Sequence, residues 1–284
     1  MQARSAGSDD GDADLERRFG GLRRLYGDAG YARLSSARVA IVGVGGVGSW
    51  AAEALARSGV AALTLIDLDH VAESNINRQV QALTPTIGAA KVVALARRIA
   101  DIHPACRVQA IEAFVEPDNW PQLLQQPVDG VIDACDQPSA KAVLAAWALG
   151  RGVPLVCVGA AGGKRRPQEV RVGDLADVTH DPLLASLRQR LRRHHGAARQ
   201  GPIGLSCVSS REAVQRPVDA CATDGSLNCR GYGSTVTVTA TFGMVAAACL
   251  VERLLATLEQ RIENPLQCAA LPGVVSSVGR AADF

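Results

Sequence analysis

Val39-Ala40-Ile41-Val42-Gly43-Val44-Gly45-Gly46-Val47-Gly48 is an apolar strand that runs directly into a glycine turn. The turn opens a predicted helix, Ser49 to Ser58. The strand Leu63-Thr64-Leu65-Ile66 follows, with Asp67 and Asp69 at its end. This is the sequence form of a nucleotide-binding βαβ unit. Gly43, Gly45, Gly46 and Gly48 let the backbone approach phosphate, the helix N-terminus offers free N–H groups, and Asp67 is placed to take the ribose hydroxyls. Alone the pattern has low specificity, and a dehydrogenase is the first class it suggests.

The next residues shift that reading. Asn75-Ile76-Asn77-Arg78-Gln79 and Gly88-Ala89-Ala90-Lys91 place a guanidinium and an ammonium just beyond the strand that ends at Asp67. A dinucleotide site has no use for two cations aimed past the ribose, whereas a triphosphate with a leaving pyrophosphate does. Further along, the pattern alternates. A helix is expected over Ile87 to Ile102, a strand over Cys106 to Ile111, a short helix over Pro117 to Gln125 and a buried strand over Val128 to Ala134. A helix over Ser139 to Leu149 and a buried strand over Val153 to Gly159 follow. Strands alternating with helices predict an α/β fold, a Rossmann-like doubly wound and mostly parallel sheet. Ligands of such sheets bind outside the strand C-terminal ends. Asp67, Asp69, Asp133 and Asp136 all follow such ends.

The outer parts of the chain are less regular. Met1 to Asp14 is polar and acidic, without the apolar core of a secretory signal, and residues 1–16 read as a loose tail. Arg17 to Leu34 reads as helical, broken at Gly20-Gly21. Pro182 to Arg193 makes an amphipathic helix. Residues 196–230 read as a long loop region with a strand at Gly204 to Val208, and residues 263–284 as a C-terminal tail. Thr235-Val236-Thr237-Val238-Thr239 alternates like a strand, and Phe242 to Leu258 reads as a long apolar helix. A membrane span is the alternative for that helix, but its apolar part is shorter than the ~20 residues a span needs, so a buried core helix is favoured.

Composition narrows the class. The chain has 284 residues, a formal net charge of +2 and 48% hydrophobic residues with only 4% aromatic, so aliphatic residues fill its core. Eight cysteines include no C-x-x-C pair, which argues against a zinc knuckle and for a reduced, cytoplasmic protein. Two basic runs stand out, Lys164-Arg165-Arg166 and the set from Arg188 to Arg199. Solvated faces are the plain reading of both.

Taken together, Gly43-x-Gly45-Gly46-x-Gly48, Asp67-x-Asp69, Asn75-x-Asn77-Arg78-Gln79, Lys91 and Asp133-x-x-Asp136 resemble the ThiF-like adenylation domain of the ubiquitin-activating-enzyme superfamily. Within that superfamily the chain resembles the tRNA threonylcarbamoyladenosine dehydratase family, also described as cysteine-desulfurase-associated. The segments that carry this likeness are RFGGLRRLYG (Arg18 to Gly27), GVGGVGSWAAEALARSG (Gly43 to Gly59), NINRQ, AAGGKRRPQEVRVGDLADVTHDPL (Ala160 to Leu183) and NCRGYGSTVTVTATFG (Asn228 to Gly243). The last two are the specific ones. The likeness spans residues 17 to 255 and places an adenylation domain at 17–262.

The resemblance implies a homodimer that takes ATP and a tRNA carrying threonylcarbamoyladenosine beside the anticodon. It implies activation of the threonyl carboxylate as an acyl-adenylate with loss of pyrophosphate, then ring closure with release of AMP. Arg78 and Lys91 become the phosphate clamp, Asn75 their neutral partner, Asp67 the ribose acid and Asp136 the magnesium ligand, its hard oxygens suiting that ion. A surface ion pair is the plain alternative for Arg78. Asp69 and Asp133 are either supporting residues or strand-end caps. Cys229, in a glycine-rich loop beside Arg230, is the candidate nucleophile, with Cys221 as a nearby decoy or resolving partner. The remaining six cysteines are expected to pack. An N-terminal arginine from the partner, Arg18 or Arg24, would reach the phosphates. The basic runs would contact tRNA phosphates, Tyr232 would stack on the modified base, and a cysteine desulfurase system is a possible associate. Three alternatives remain. An adenylyltransferase acting on a ubiquitin-like sulfur carrier usually carries two C-x-x-C pairs. A silent desulfurase scaffold has no need of a phosphate clamp. A dehydrogenase would require hydride-transfer partners.

Overall fold

The computed structural model describes residues 14–215 and 232–263. Helix α1 (Leu15–Leu34) leads into strand β1 (Arg38–Val42), helix α2 (Gly48–Arg57) and strand β2 (Ala62–Ile66). Then come α3 (Lys91–Ile102), β3 (Arg107–Ile111), β4 (Gly130–Asp133), α4 (Pro138–Arg151) and β5 (Leu155–Val158). The chain continues through β6 (Val170–Asp174), α5 (Pro182–His194), β7 (Ser206–Ser210) and α6 (Val236–Glu263). The seven strands form one sheet in the order β3-β2-β1-β4-β5-β7-β6, parallel throughout except for β6, which runs antiparallel to β7. The expected doubly wound sheet with a long C-terminal helix is the observed fold.

Burial explains the pattern. The central strands are apolar runs buried on both faces, as parallel strands between helices must be. Side chains alternate between the two faces. Val39, Ile41, Ile132 and Val156 face the layer made with α2, α3 and α6. Ala40, Val42, Val131, Leu155 and Cys157 face the layer made with α4 and α5. Within α6, the span Val236–Ala256 is long and apolar enough to cross a membrane by composition. Here Val238, Phe242, Ala246, Leu250 and Leu254 of that helix are buried in the core layer, as favoured above.

Several local expectations are corrected. Helix α1 does not break at Gly20-Gly21; the non-helical residue is Gly27, with φ 71° and ψ 173°. A glycine weakens a helix, but the chain turns where a positive φ is required. Helix α3 begins at Lys91 rather than Ile87, because Gly88 takes φ 84° and Ala90 is extended. Pro117 to Gln125 forms turns, not a helix; Asn119 holds them by accepting from Glu116 N (2.8 Å) and donating to Phe114 O (2.8 Å). The alternating threonines lead into and begin α6. Thr239 and Thr241 return their hydroxyls to the carbonyls of Thr235 and Thr237, which satisfies them within a helix. Strand β6 was not anticipated: its residues Arg171, Val172 and Gly173 are exposed at the sheet edge and carry no core signal.

Candidate active site

The glycine loop leaves β1 at Gly43, which has φ 82° and donates its N–H to Ile66 O at 2.8 Å. A Cβ there would stand 2.9 Å from the backbone of Ala134 and Cys135, and one on Gly48 would collide with the Gly43 carbonyl. Only glycine lets this turn lie directly on the end of β4. Helix α2 then starts without a side-chain cap, so its first N–H groups point into the loop.

Asp67 ties β2 to this loop, accepting from Val44 N (2.8 Å) and Asp69 N (2.9 Å). Burial raises its pKa, against the opposing pull of Lys91 and of the two N–H donors. Lys91, the first residue of α3, sends Nζ to Asp69 Oδ2 at 2.7 Å, and its side chain is only 4% exposed against 34% for Asp69. Asp69 is therefore the partner of Lys91.

Asn75 is buried and builds the turn that presents the next cation. Its Oδ1 accepts from Ala72 N at 3.1 Å, and its carbonyl accepts from Arg78 N and Gln79 N. Arg78 lies along Gly46, its side-chain carbons 3.5 Å from where a Cβ would be. Its guanidinium donates to Ser74 O (2.7 Å) and Asn77 Oδ1 (3.0 Å), and Trp50 and Thr239 bond to its carbonyl. Among the described residues no carboxylate pairs with it, so the surface ion pair is not formed. The structure thus brings Gly43, Gly45, Gly46, Gly48, Asp67, Asn75, Arg78 and Lys91 around one loop.

Across that loop, β4 ends at Asp133. This carboxylate is sealed in: Lys141 Nζ lies 3.0 Å from Oδ1, and the thiols of Cys135 and Cys157 donate to its two oxygens at 3.0 and 3.1 Å. Lys141 also donates to the carbonyls of Asp133 and Val158, tying β4 to β5. Burial alone would lower its pKa, but Asp133 holds it above the ordinary lysine value. Asp136, three residues on, is exposed. Sequence reasoning passed over Lys141, although a lone cation among the alanines of α4 was a signal. It also gave no role to Gln79 and Gln81; Gln81 donates to Val44 O (2.9 Å) and Gln79 Oε1 (3.2 Å), bracing the loop from below.

Beyond β5 lies a second cluster. Asp181 accepts from Ala160 N (2.9 Å) and caps α5 through Leu184 N (3.0 Å). Gly163, at φ 71°, receives Gln215 N on its carbonyl and donates to Gly233 O, with the Tyr232 ring against it. The chain therefore leaves and rejoins the described fold at Gly163. Cys221 and Cys229 lie in between, outside the described residues. Lys164 is a correction to the basic run: it is buried, donating to Glu212 O at 2.8 Å, and burial lowers its pKa. Arg165 and Arg166 stay exposed while their backbone N–H groups hold the Glu212 carboxylate. The described cysteines, Cys106, Cys135, Cys157, Cys207 and Cys249, are free thiols whose burial raises their pKa, to about 11 for Cys106.

Comparison with known proteins places this geometry. The model of the ThiF family matches residues 18–278. The tRNA threonylcarbamoyladenosine dehydratase of Escherichia coli (strain K12) is 42% identical over 252 residues, covering 84% of this chain and 94% of that protein. The crystal structure of the E. coli enzyme in complex with ATP superposes with a TM-score of 0.79 at 41% identity, covering 88% of this chain and 98% of that one. An adenylyltransferase and sulfurtransferase of Aspergillus niger is 35% identical over 134 residues, only 47% of this chain.

Proposed function

The chain belongs to the ThiF family, and from this we propose that it is an ATP-dependent adenylating enzyme of tRNA. It closes threonylcarbamoyladenosine beside the anticodon into a ring, with net loss of water. The observation that carries the reading is Arg78, a guanidinium laid on the glycine loop with no carboxylate to neutralise it among the described residues. Such a cation is arranged for an anion that comes and goes.

In this proposal each residue has a stated role. The glycine loop and the open end of α2 take the phosphates, and Asp67 takes the ribose hydroxyls. A threonyl carboxylate oxygen attacks the α-phosphorus, and the bond to pyrophosphate breaks. Arg78 and Lys91 hold the charge that builds on the departing phosphates, with Asn75 fixing the turn. Asp136, an exposed carboxylate three residues beyond the end of β4, is the side chain that would hold a magnesium ion. No cluster of three or more ligating side chains occurs among the described residues, so Asp136 would hold such an ion with few other protein ligands. Such an ion would supply further neutralisation of phosphate charge. A thiolate then displaces AMP, which carries away one carboxylate oxygen, and the carbamoyl group of the modification attacks the resulting thioester, closing the ring and releasing the thiol. We assign Cys229 as the thiol that takes the acyl group before closure, and residues 17–262 as the adenylation domain.

The resemblance supports a cytoplasmic homodimer and an association with a cysteine desulfurase. Of the two arginines offered to the partner's phosphates, both exposed, Arg18 already donates to the carbonyls of Asp101 (3.0 Å) and Ile102 (2.7 Å) at the end of α3, whereas Arg24 makes no side-chain hydrogen bond among the described residues. Arg24 is the better candidate. The sulfur-carrier alternative would use the same nucleotide residues, and the absence of C-x-x-C pairs weighs against it.

The test is to incubate the protein with ATP, magnesium and tRNA bearing the modification, digest the tRNA and weigh its nucleosides. The expected result is loss of one water, dependent on ATP and abolished by Arg78→Ala. ATP binding without any mass change would overturn the reading.

A further inference from the structure

Between Pro182 and Arg211 the chain has six arginines and two histidines and no aspartate or glutamate. Two of these arginines have structural work. Arg188 donates to the carbonyls of Leu175 (2.9 Å) and Val178 (2.8 Å), and Arg192 to that of Ala198 (3.0 Å). Arg190, Arg193, His194, His195 and Arg199 are exposed, and none forms an ion pair among the described residues. Some arginines elsewhere are neutralised, Arg23 by Glu16 and Asp28, Arg33 and Arg38 by Asp129, Arg57 and Arg98 by Glu53, and others such as Arg97 and Arg107 are not; what sets this segment apart is the number of exposed cations gathered with no acid among them. A helix C-terminus accounts for cations in its last turn, but Arg190 lies a turn earlier and Arg199 lies beyond the helix.

Position gives this surface a use. Asp181 fastens the start of α5 to Ala160, at the end of β5 where the candidate site lies. The 13 residues of α5 carry the chain ~20 Å from there. Its far end meets the C-terminal end of α4, where Leu149, Leu191, His195, Ala198 and Ile203 line a shallow depression. The cluster is thus displaced from the glycine loop by about one helix length, along the α4–α5 face. No Phe, Tyr or Trp is found among the exposed large apolar residues of this end, where the exposed rings are those of His194 and His195, so it has little of the aromatic platform that holds unpaired bases. Exposed guanidinium groups without a Phe, Tyr or Trp beside them suit the phosphates of a paired stem, which is recognised by shape and backbone.

We propose that the C-terminal half of α5 and the loop after it, through Arg190, Arg193 and Arg199, bind the phosphate backbone of the stem of the RNA substrate while the base to be modified lies at the glycine-loop end. This rests on the tRNA reading above. It adds which surface holds the RNA and that the held part is double-stranded.

The test compares the full-length protein with Arg190→Gln/Arg193→Gln/Arg199→Gln, which touches no structural hydrogen bond, and with the control Arg97→Gln/Arg107→Gln. Affinities for an anticodon-arm RNA hairpin and for its loop sequence as a linear strand are measured against salt concentration, with ATP binding followed in parallel. The triple variant is expected to bind the hairpin about 10-fold or more weakly, with a salt slope shallower by about two to three. The linear strand and ATP should bind it as they bind the wild type, and the control should change neither RNA. Unchanged hairpin affinity and slope in the triple variant would overturn the proposal while leaving the tRNA reading intact. An equal loss for hairpin and linear strand would also overturn it, since the surface would then not select a paired stem. Failure of the wild type to bind either RNA would instead count against the tRNA reading itself.

Discussion

Two lysine–aspartate pairs flank the glycine loop, and they differ in one respect. Lys91 meets Asp69 beyond β2, and Lys141 meets Asp133 at the end of β4; the Nζ–O separations are 2.7 and 3.0 Å. Both lysines lie in the first or second turn of a helix that follows the strand. Yet Lys141 and Asp133 are wholly enclosed, whereas Asp69 is 34% exposed. Lys141 spends its other protons on two backbone carbonyls, and Asp133 its other lone pairs on two thiols. That pair is saturated and can only hold β4 against β5. The Lys91 pair is open only on its acid side, with Asp69 partly exposed and the ammonium nearly buried, so an arriving phosphate would meet Lys91 by taking the place of Asp69. The same chemistry is saturated in one pair and left partly exposed in the other.

The largest effect should come from breaking the closed pair. Lys141→Met leaves a buried carboxylate without its cation, which costs about 3–5 kcal/mol. Urea unfolding is expected to show that loss, and Asp133→Leu/Lys141→Met is expected to recover most of it because no charge is then stranded. A Lys141→Met protein as stable as the wild type would contradict a structural role for the pair.

Lys91→Met should show the reverse profile. Asp69, partly exposed, can take up water, so the unfolding free energy should fall by clearly less than in Lys141→Met, by about 1 kcal/mol. Formation of pyrophosphate from ATP and substrate tRNA should fall ~10²–10³-fold, as when one preorganised transition-state donor is removed. A large loss of stability with near-normal turnover per folded molecule would make this second pair structural as well.

What could be read from the sequence follows from the same contrast. The glycine turn, Asp67, Arg78 and Lys91 were legible because each belongs to a local pattern, a strand end or a short motif whose geometry is set within a few residues. Lys141 was not, because its role arises only when β4 and β5 pair and bring the carbonyls of Asp133 and Val158 to one point. Lys164 was misplaced for the opposite reason: within a basic triplet it looks solvated, but the turn at Gly163 carries it inward to the carbonyl of Glu212. The threonine alternation before Phe242 matched a strand by period, and contacts with the core layer overrode it. Strand β6, exposed and at the edge, left no apolar trace to find.

The smallest expected effect tests how far the open pair reaches. Burial holds the Asp67 carboxyl above its ordinary pKa, and the charge on Lys91 is the first influence pulling it back. Ionised Asp67 therefore costs folding free energy near neutral pH, where its folded pKa exceeds the unfolded value. The proposed function gives that charge beside the glycine loop a use in binding. ATP affinity should thus weaken on acidification somewhat above the usual carboxylate range near ~4, by about tenfold once the acid is protonated and its acceptor bonds to ribose are lost. In Lys91→Met the inflection should move to higher pH, since the opposing charge is gone. Titrating ATP binding by calorimetry against pH for the two proteins measures both the position and the displacement. If the inflection does not move, Lys91 does not act electrostatically on the ribose acid, and its influence ends at Asp69.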